Sequence, residues 1–351
     1  MKISESENIN FQPLDPTNYS DWDDLLEANP DASIFHSSHW SKVLADTYKY
    51  QPLFFSSIVN GQFRSLVPVM EINSILTGNR GVSLPFSDYC EPIITEQLCL
   101  EEVIESMINY GRKAGWKYLE LRSADGLSED WPCFGSYYGH TLNLSDDTEK
   151  VFSCFRSSVK RNIRKALKEG VEVRLDHSEA SIKKYYHLHC LTRKRQGIPP
   201  QPYSFFNNIY NHVISRNLGF ILLADYKQKN IAGGVYFSFG KKTLFKFGAS
   251  DQDYQYLRAN DLIMWKAIEW YCKNGYEKFC FGRTDFDNEG LKRFKSGWGI
   301  EENIIRYYRY CFSQNKFIKE EGKQKKSFTV FKKMPIPLLK FAGQVLYKHM
   351  G

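Results

Sequence analysis

No run of this sequence approaches the roughly 20 apolar residues that a bilayer-spanning helix requires, so no membrane-spanning segment is expected. The opening residues, MKISESENIN, are polar and lack the hydrophobic stretch of a secretory signal, which makes a cytoplasmic protein the expectation. Eight cysteines (Cys90, Cys99, Cys133, Cys154, Cys190, Cys272, Cys280 and Cys311) are scattered without a C-x-x-C pair. That spacing argues against a zinc site or a disulfide framework and suits reduced, mostly buried thiols; no metal is implied. The excess of basic over acidic residues is confined to the end of the sequence. From Gln314 onward there are nine Lys, no Arg, and just Glu320 and Glu321, whereas the preceding residues balance at 38 basic against 38 acidic. The net charge of +7 therefore belongs to the last segment and not to the body.

What remains has the composition of a soluble globular protein, 42% apolar and 25% charged, with a high aromatic share of 15%. Its 351 residues suffice for about two domains, each with a core. Residues 1–30 are polar, with an apolar staple at Phe11 and Leu14. Trp40, Val43 and Leu44 recur at helical spacing between Ser37 or Ser38 and Tyr48. Residues 52–70 read as two strands joined at Asn60-Gly61, a pair that accepts the positive φ angles of a tight hairpin. After Gly78 and Gly81, SLPFSDYCEP (83–92) is a strand end opening into a turn. A helix over 98–114 and strands over 116–122 and 137–144 follow. The alternation predicts an α/β (α+β) fold.

The second half repeats the plan. Residues 219–239 are strand, polar turn and strand; Asn260 to Lys273 is a helix; another strand follows Gly275. Lys113-Ala114-Gly115-Trp116-Lys117-Tyr118-Leu119 aligns with Lys273-Asn274-Gly275-Tyr276-Glu277-Lys278-Phe279. At nearly the same offset, Val67-Pro68-Val69 falls opposite Gly233-Gly234-Val235. Two correspondences at nearly one offset indicate an internal duplication with its boundary near residue 147. The expected units are 1–147, 148–313 and a basic tail, 314–351.

Three stretches carry candidate chemistry. In FGRTDFDNEGLKRFKSGWG (281–299), a strand end gives way to a polar loop and then to a short helix presenting Phe294 and Lys295. A helix expected from Thr148 to about Lys168 sets Arg156, Lys160, Arg164 and Lys168 on one face, with Arg161 and Lys165 beside them. Val151, Phe155, Val159, Ile163 and Leu167 supply its buried side. That cationic face is either a solvated surface or one that meets phosphate. From His187 to Phe206, Arg193, Lys194 and Arg195 run into a Pro-rich aromatic turn at Tyr203, which suits a phosphate attached to a ring or sugar. His187 and His189 cannot face one ligand from a helix and are read as structural.

In the tail, Leu338, Leu339, Ala342, Val345 and Leu346 recur at helical spacing after the polybasic run Lys316 to Lys333. Such a helix suits the interface of an anionic membrane, or it docks on the second domain.

Several of these segments together resemble the Fem family. They are SLPFSDYCEP (83–92), SVKRNIRKALKEGVEV (158–173), LTRKRQGIP (191–199), residues 247–284 from FGAS to CFGRT, and GLKRFKSGWG (290–299). The family comprises transferases with two acetyltransferase-like (GNAT) domains, typified by enzymes that add amino acids to peptidoglycan precursors. The similarity spans about residues 35–312 and leans toward the branch found with bacterial surface-polysaccharide and export systems. It implies two tandem GNAT-like acyltransferase domains, with the substrate cleft between them, in a cytoplasmic bacterial protein, which the tail helix would place at the inner face of the membrane if it lies in the interface. It also implies that the family's Phe-Lys pair is Phe294-Lys295, with the Lys stabilising charge that develops during acyl transfer.

Acetyltransferases that use coenzyme A cradle its pyrophosphate on a Q/R-x-x-G-x-G/A loop at a helix start. The corresponding segment here, YLRANDLIM (256–264), has Arg258 but no glycine, which favours aminoacyl-tRNA or another activated carbonyl over acyl-CoA. The coiled-coil arm of some tRNA-dependent relatives is missing as well, so both donors stay open.

The expected activity is acyl or aminoacyl transfer to an amine of a nucleotide- or lipid-linked glycan or peptidoglycan-type precursor. No permanently bound cofactor is expected, and the activated acyl donor is a co-substrate. Lys295 would hold the oxyanion, and Arg193, Arg195 and Tyr203 the acceptor's phosphate and sugar. Arg258, Asn260, Arg283 and Asp285 would line the site, and Lys160, Arg161 and Arg164 would face phosphate. An acyl-CoA-dependent N-acetyltransferase and a non-catalytic protein that binds a polysaccharide intermediate are the alternatives.

Overall fold

Asn60 and Gly61 take φ angles of 52° and 74°, closing a tight turn between strands Phe54–Val59 and Gln62–Val67. Helix Ser38–Tyr48 starts where the Ser37 hydroxyl accepts from the Trp40 amide, and it buries Trp40, Val43 and Leu44 as their spacing predicts. The computed structural model to which these elements belong describes residues 11, 13–95, 97–124, 126–320 and 329–351.

Among the described residues the strands form two sheets. The smaller joins Pro13–Leu14, Phe54–Val59, Gln62–Val67 and Ile93–Ile94. The larger has thirteen strands. Its second-half arm runs Glu172–Asp176, Gly219–Tyr226, Lys229–Phe239, Lys242–Ser250 and Lys278–Cys280. Its first-half arm runs inward from Gln51–Pro52 through Met70–Ile72 and Arg80–Val82 to Tyr118–Ser123.

The two arms share one plan. Lys242–Ser250 and Lys278–Cys280 are parallel neighbours with helix Ala259–Lys273 between them in sequence. Arg80–Val82 and Tyr118–Ser123 are parallel neighbours with helix Gln97–Lys113 between them. Both helices end on a left-handed glycine, Gly115 at 69° and Gly275 at 73°. In both, the following aromatic amide donates five residues back, Trp116 to Gly111 at 2.9 Å and Tyr276 to Tyr271 at 3.2 Å. The paired Lys-x-Gly-aromatic segments thus occupy equivalent places. The other sequence correspondence does not: the chain leaves one sheet at Val67 and joins the other at Met70, whereas Gly233 and Gly234 lie inside an unbroken strand.

At the centre the halves exchange strands. Gly135–Asn143, from the first half, pairs with Lys278–Cys280 on one side and Glu301–Cys311 on the other. Glu301–Cys311, from the second half, continues onto Tyr118–Ser123. Each half therefore completes the sheet of its counterpart. A core around Trp40, Phe54, Phe205 and Phe237 draws on both halves, with Trp40 edge-on to Phe205 at 6.0 Å.

Two sequence expectations need correction. The helix expected over 148–168 is two, Thr148–Ser153 and Ser157–Lys168. Phe155 turns inward onto Trp265 and Trp298 at the break, and the Arg156 amide donates to the Gly297 carbonyl at 2.9 Å. Beyond the break Ala166 is buried against helix Ala259–Lys273, and Leu167 is left 53% exposed. The tail, for its part, does not leave the body at residue 314. Lys316–Ile318 pairs with Glu301–Cys311, and Phe317 stacks on Trp131 at 4.1 Å. Residues 321–328 of the expected polybasic run, and the polar opening 1–10, lie outside the described residues.

Helix Ile336–Leu346 is docked on the body through Leu339 and Gly343, where a β-carbon would overlap the Pro200 carbonyl oxygen. The Tyr347 hydroxyl donates to the Pro199 carbonyl at 3.0 Å, and Arg80 donates to the carbonyls of His349 and Gly351. The docking site therefore includes the first half as well as the second. Among the described residues, no helix is long and apolar enough to cross a membrane.

Candidate active site

Strands Lys242–Ser250 and Lys278–Cys280 pair only from Lys242 to Leu244. Past Cys280 the second strand turns away at Gly282 (φ 71°) and pairs with Gly135–Asn143 through Thr284–Asp285. The wedge between the diverging strands is a cavity of about 390 Å³. Two backbone features shape it. Val235 pairs with Phe247 and Tyr236 with Phe245, which leaves Lys246 as the extra residue of a β-bulge and turns it into the cavity. At Gly282 a β-carbon would lie 2.8 Å from Asp88 Oδ2, so glycine admits the carboxylate as well as the turn.

Asp88 arrives from the first half and meets Lys246 Nζ at 3.4 Å. Lys295 ends the short helix Glu289–Lys295, which starts on the Asn288 side chain. The residue is 3% exposed, and its ammonium donates to the carbonyls of Gly282 and Arg283, both at 2.9 Å. An ammonium has three N–H groups, so one is left for a ligand. Arg283 lies over the Tyr137 ring at 4.3 Å and donates to Tyr307 Oη at 2.6 Å; that hydroxyl donates to the Asp88 carbonyl at 2.7 Å.

Burial lowers the Lys295 pKa to about 8, against the pull of Asp88, so the group remains mainly protonated at neutral pH. Burial lowers the Lys246 pKa too. For Asp88 burial pushes the carboxyl up, but Lys246, Arg283 and Lys295 outweigh it and hold the pKa below the usual range. Arg195, Lys246, Arg283 and Lys295 all line the cavity, with Asp88 as their only carboxylate among the described lining residues. Arg195 Nη1 and Tyr236 Oη are buried there without a hydrogen-bond partner among the described residues. Excess cations and unpaired buried donors suit a ligand that brings oxygens, and anionic oxygens best.

Of the residues singled out from sequence, Lys295, Phe294, Arg283, Asn260 and Arg195 meet on this cavity. Arg258 lines a neighbouring cavity of about 220 Å³ that shares Ser250, Asn260 and Phe294 with the first. The others lie elsewhere. Arg193 donates to Gln196 and Gln201. Tyr203 faces a separate groove beside Lys340 and Gln344. Asp285 is opposite Tyr137 in the sheet. Lys160 donates to the Ser153 carbonyl at 2.6 Å, and Arg161 and Arg164 stand exposed on helix Ser157–Lys168; none of the three lines either cavity. His189 is buried on Gln201 while His187 points outward.

Sequence reasoning missed Asp88, Lys246 and Tyr236. Asp88 lies in a segment that carries the family resemblance, without an assigned role. Lys246 is the one cation inside the apolar run Leu244–Phe247. Tyr236 gives no such signal in a chain this rich in aromatics.

Comparison with known proteins agrees with this architecture. Residues 153–296 match the family model of the acetyltransferase (GNAT) domain. Among solved structures, the chain is similar to FemX at 13% identity and a TM-score of 0.63, covering 81% of this chain and 94% of that one. It is similar to L-PGS from Bacillus licheniformis at 13% identity and a TM-score of 0.53, covering 92% and 95%. A tandem GNAT protein from the clavulanic acid biosynthesis pathway matches at 8% identity and a TM-score of 0.51, covering 85% and 97%. No curated protein sequence gives a significant match. The domain match supports an acyltransferase: residues 153–296 carry an acetyltransferase (GNAT) domain, and the fold of the whole chain is like that of a tandem GNAT protein. Its fold is the one that FemX and the L-PGS structure also adopt.

Proposed function

We propose that this acyltransferase moves an acyl or aminoacyl group onto an amine of a phosphate-bearing precursor, nucleotide- or lipid-linked, for a cell-envelope glycan or peptidoglycan. The amine nitrogen attacks the donor carbonyl, a C–N bond forms, and the C–O or C–S bond to the donor breaks. The proton lost by the amine ends on the departing oxygen or sulfur. Lys295, with one N–H unused by Gly282 and Arg283, holds the oxyanion of the tetrahedral intermediate. Arg195 and Lys246 hold the anionic part of the acceptor. The observation that carries this reading is the buried Lys295 ammonium, held by two backbone carbonyls in a cavity it shares with Arg195, Lys246 and Arg283.

A second donor reading has its own support. Arg258 takes φ 63° immediately before helix Ala259–Lys273. A helix start, whose free backbone N–H groups suit a pyrophosphate, is thus present at this place although the glycines are not.

The test supplies radiolabelled acyl-CoA and aminoacyl-tRNA side by side with a nucleotide-linked amine acceptor. One donor should give labelled product, and Lys295→Met should lower turnover by about 10²–10³-fold with acceptor affinity nearly unchanged. Wild-type turnover in that variant would remove Lys295 from the mechanism. Acceptor binding without turnover from either donor would favour a protein that only binds.

A further inference from the structure

We propose that the outer face of helix Ile336–Leu346, together with the turn at residues 74–78, seats this protein on the surface of an anionic lipid bilayer. The inference does not depend on the acyl-transfer reading. The helix has two apolar sides. One, through Leu339 and Gly343, is buried in the body. The other carries Leu338, Phe341 and Val345, which are 56%, 67% and 42% exposed and lie at i, i+3 and i+7, one stripe of a helix. A docked helix has no need of that second side.

Chain-distant residues add exposed apolar groups beside the end of the tail. Ser74 Oγ and His349 Nδ1 share a hydrogen bond of 2.9 Å, and Thr77 Oγ1 donates to the His349 carbonyl at 3.2 Å. These bonds hold the turn against the end of the tail. At its tip Ile75 is 100% exposed and Leu76 66%, and next to His349 Met350 is 59% exposed. Isolated apolar side chains on a surface are ordinary, but a run contributed by two joined segments marks an interaction site.

The charge around it selects the partner. Residues 329–351 contain Lys332, Lys333, Lys340 and Lys348 and no Asp or Glu, and residues 73–80 contain no acid either. A bilayer interface accepts apolar side chains below its headgroups and lysines among anionic ones. A two-fold dimer through this face would set the same lysines against each other. The tail also packs on helix Glu179–Gln196, with Lys340 Nζ 5.2 Å from the Tyr186 ring centroid; the far end of that helix supplies Arg195 to the cavity. Seating by this face would therefore fix the cavity relative to the bilayer.

The test is flotation of the full chain with vesicles of phosphatidylglycerol and phosphatidylcholine, against vesicles of phosphatidylcholine alone. Binding is expected on the anionic vesicles, at least about tenfold weaker on the neutral ones, and weaker as salt rises. The pairs Ile75→Ser/Leu76→Ser and Phe341→Ser/Val345→Ser should each weaken it at least about tenfold with an unchanged melting curve, since all four side chains are solvent-facing. Absence of binding to anionic vesicles at low salt, or wild-type binding in both pairs, would overturn the proposal. So would a solution dimer that Phe341→Ser/Val345→Ser dissociates, because a second copy would then be what covers this face.

Discussion

Lys295 sits where two requirements of a buried ammonium meet. It is out of water, which lowers its pKa to about 8, and it keeps its charge through two backbone carbonyls and the nearby Asp88. If turnover needs that charge, kcat should fall as pH rises through about 8, and Lys295→Arg should remove this limb, because a guanidinium stays protonated. A pH–rate profile of the two proteins checks it; the same alkaline limb in both would assign it to another group. The stability term has the opposite sense. The folded pKa lies below the ordinary lysine value, so the folded state binds this proton less tightly than the unfolded chain, and stability from this group rises between about pH 8 and the ordinary value. Sequence alone brings Phe294, Lys295 and Arg283 together because they are close in the chain. Asp88 and Lys246 are 158 residues apart, and only the bulge at Val235/Tyr236 and the turn at Gly282 bring them into contact. No local pattern encodes such a meeting.

Among the elements, the legible ones are those whose ends carry their own signal. Asn60-Gly61 makes a hairpin, and the glycines at 115 and 275 stop helices, through backbone preferences that act within a few residues. The break at residues 154–156 was not legible because it is fixed by Gly297; docking of the tail was one of the two readings its apolar spacing allowed, and the contacts that decide it, at Pro199 and Pro200, are distant in the chain. Gly343 is the point of closest approach in that docking. Gly343→Val should force the helix off Pro200 and cost about 1–3 kcal/mol, as overpacking does. The expected signature is a lower Tm with faster proteolytic loss of residues 329–351, the remaining body staying resistant. An unchanged digestion pattern would mean that the helix is held by something other than this contact.

For the molecule as a whole, the repeated Lys-x-Gly-aromatic segments made a duplication readable, since they fall at equivalent helix ends. The exchange of strands was not readable, because hydrophobic alternation says that a strand exists and not which neighbour it takes. The exchange bears on the proposed division near residue 147. A fragment of residues 148–313 would lack Gly135–Asn143, exposing the edges of Lys278–Cys280 and Glu301–Cys311. A fragment of residues 1–147 would lack the strand between Gly135–Asn143 and Tyr118–Ser123. Neither is expected to fold as a monomer, whereas the two co-expressed should associate and regain the circular dichroism of the intact chain. The intact chain should melt in one transition by calorimetry; two separated transitions would show that the halves are thermodynamically independent despite the exchange.

The exchanged strands also limit how the enzyme can move during turnover. A clamshell hinge between the halves would have to shear the backbone ladder joining Gly135–Asn143 to Glu301–Cys311, next to the wall that carries Arg283 and Lys295. A substrate is therefore expected to be selected by whether it fits the opening as it stands, and side chains and loops, whose motions run from picoseconds to microseconds, are expected to set the pace of entry in place of a slower swing of lobes.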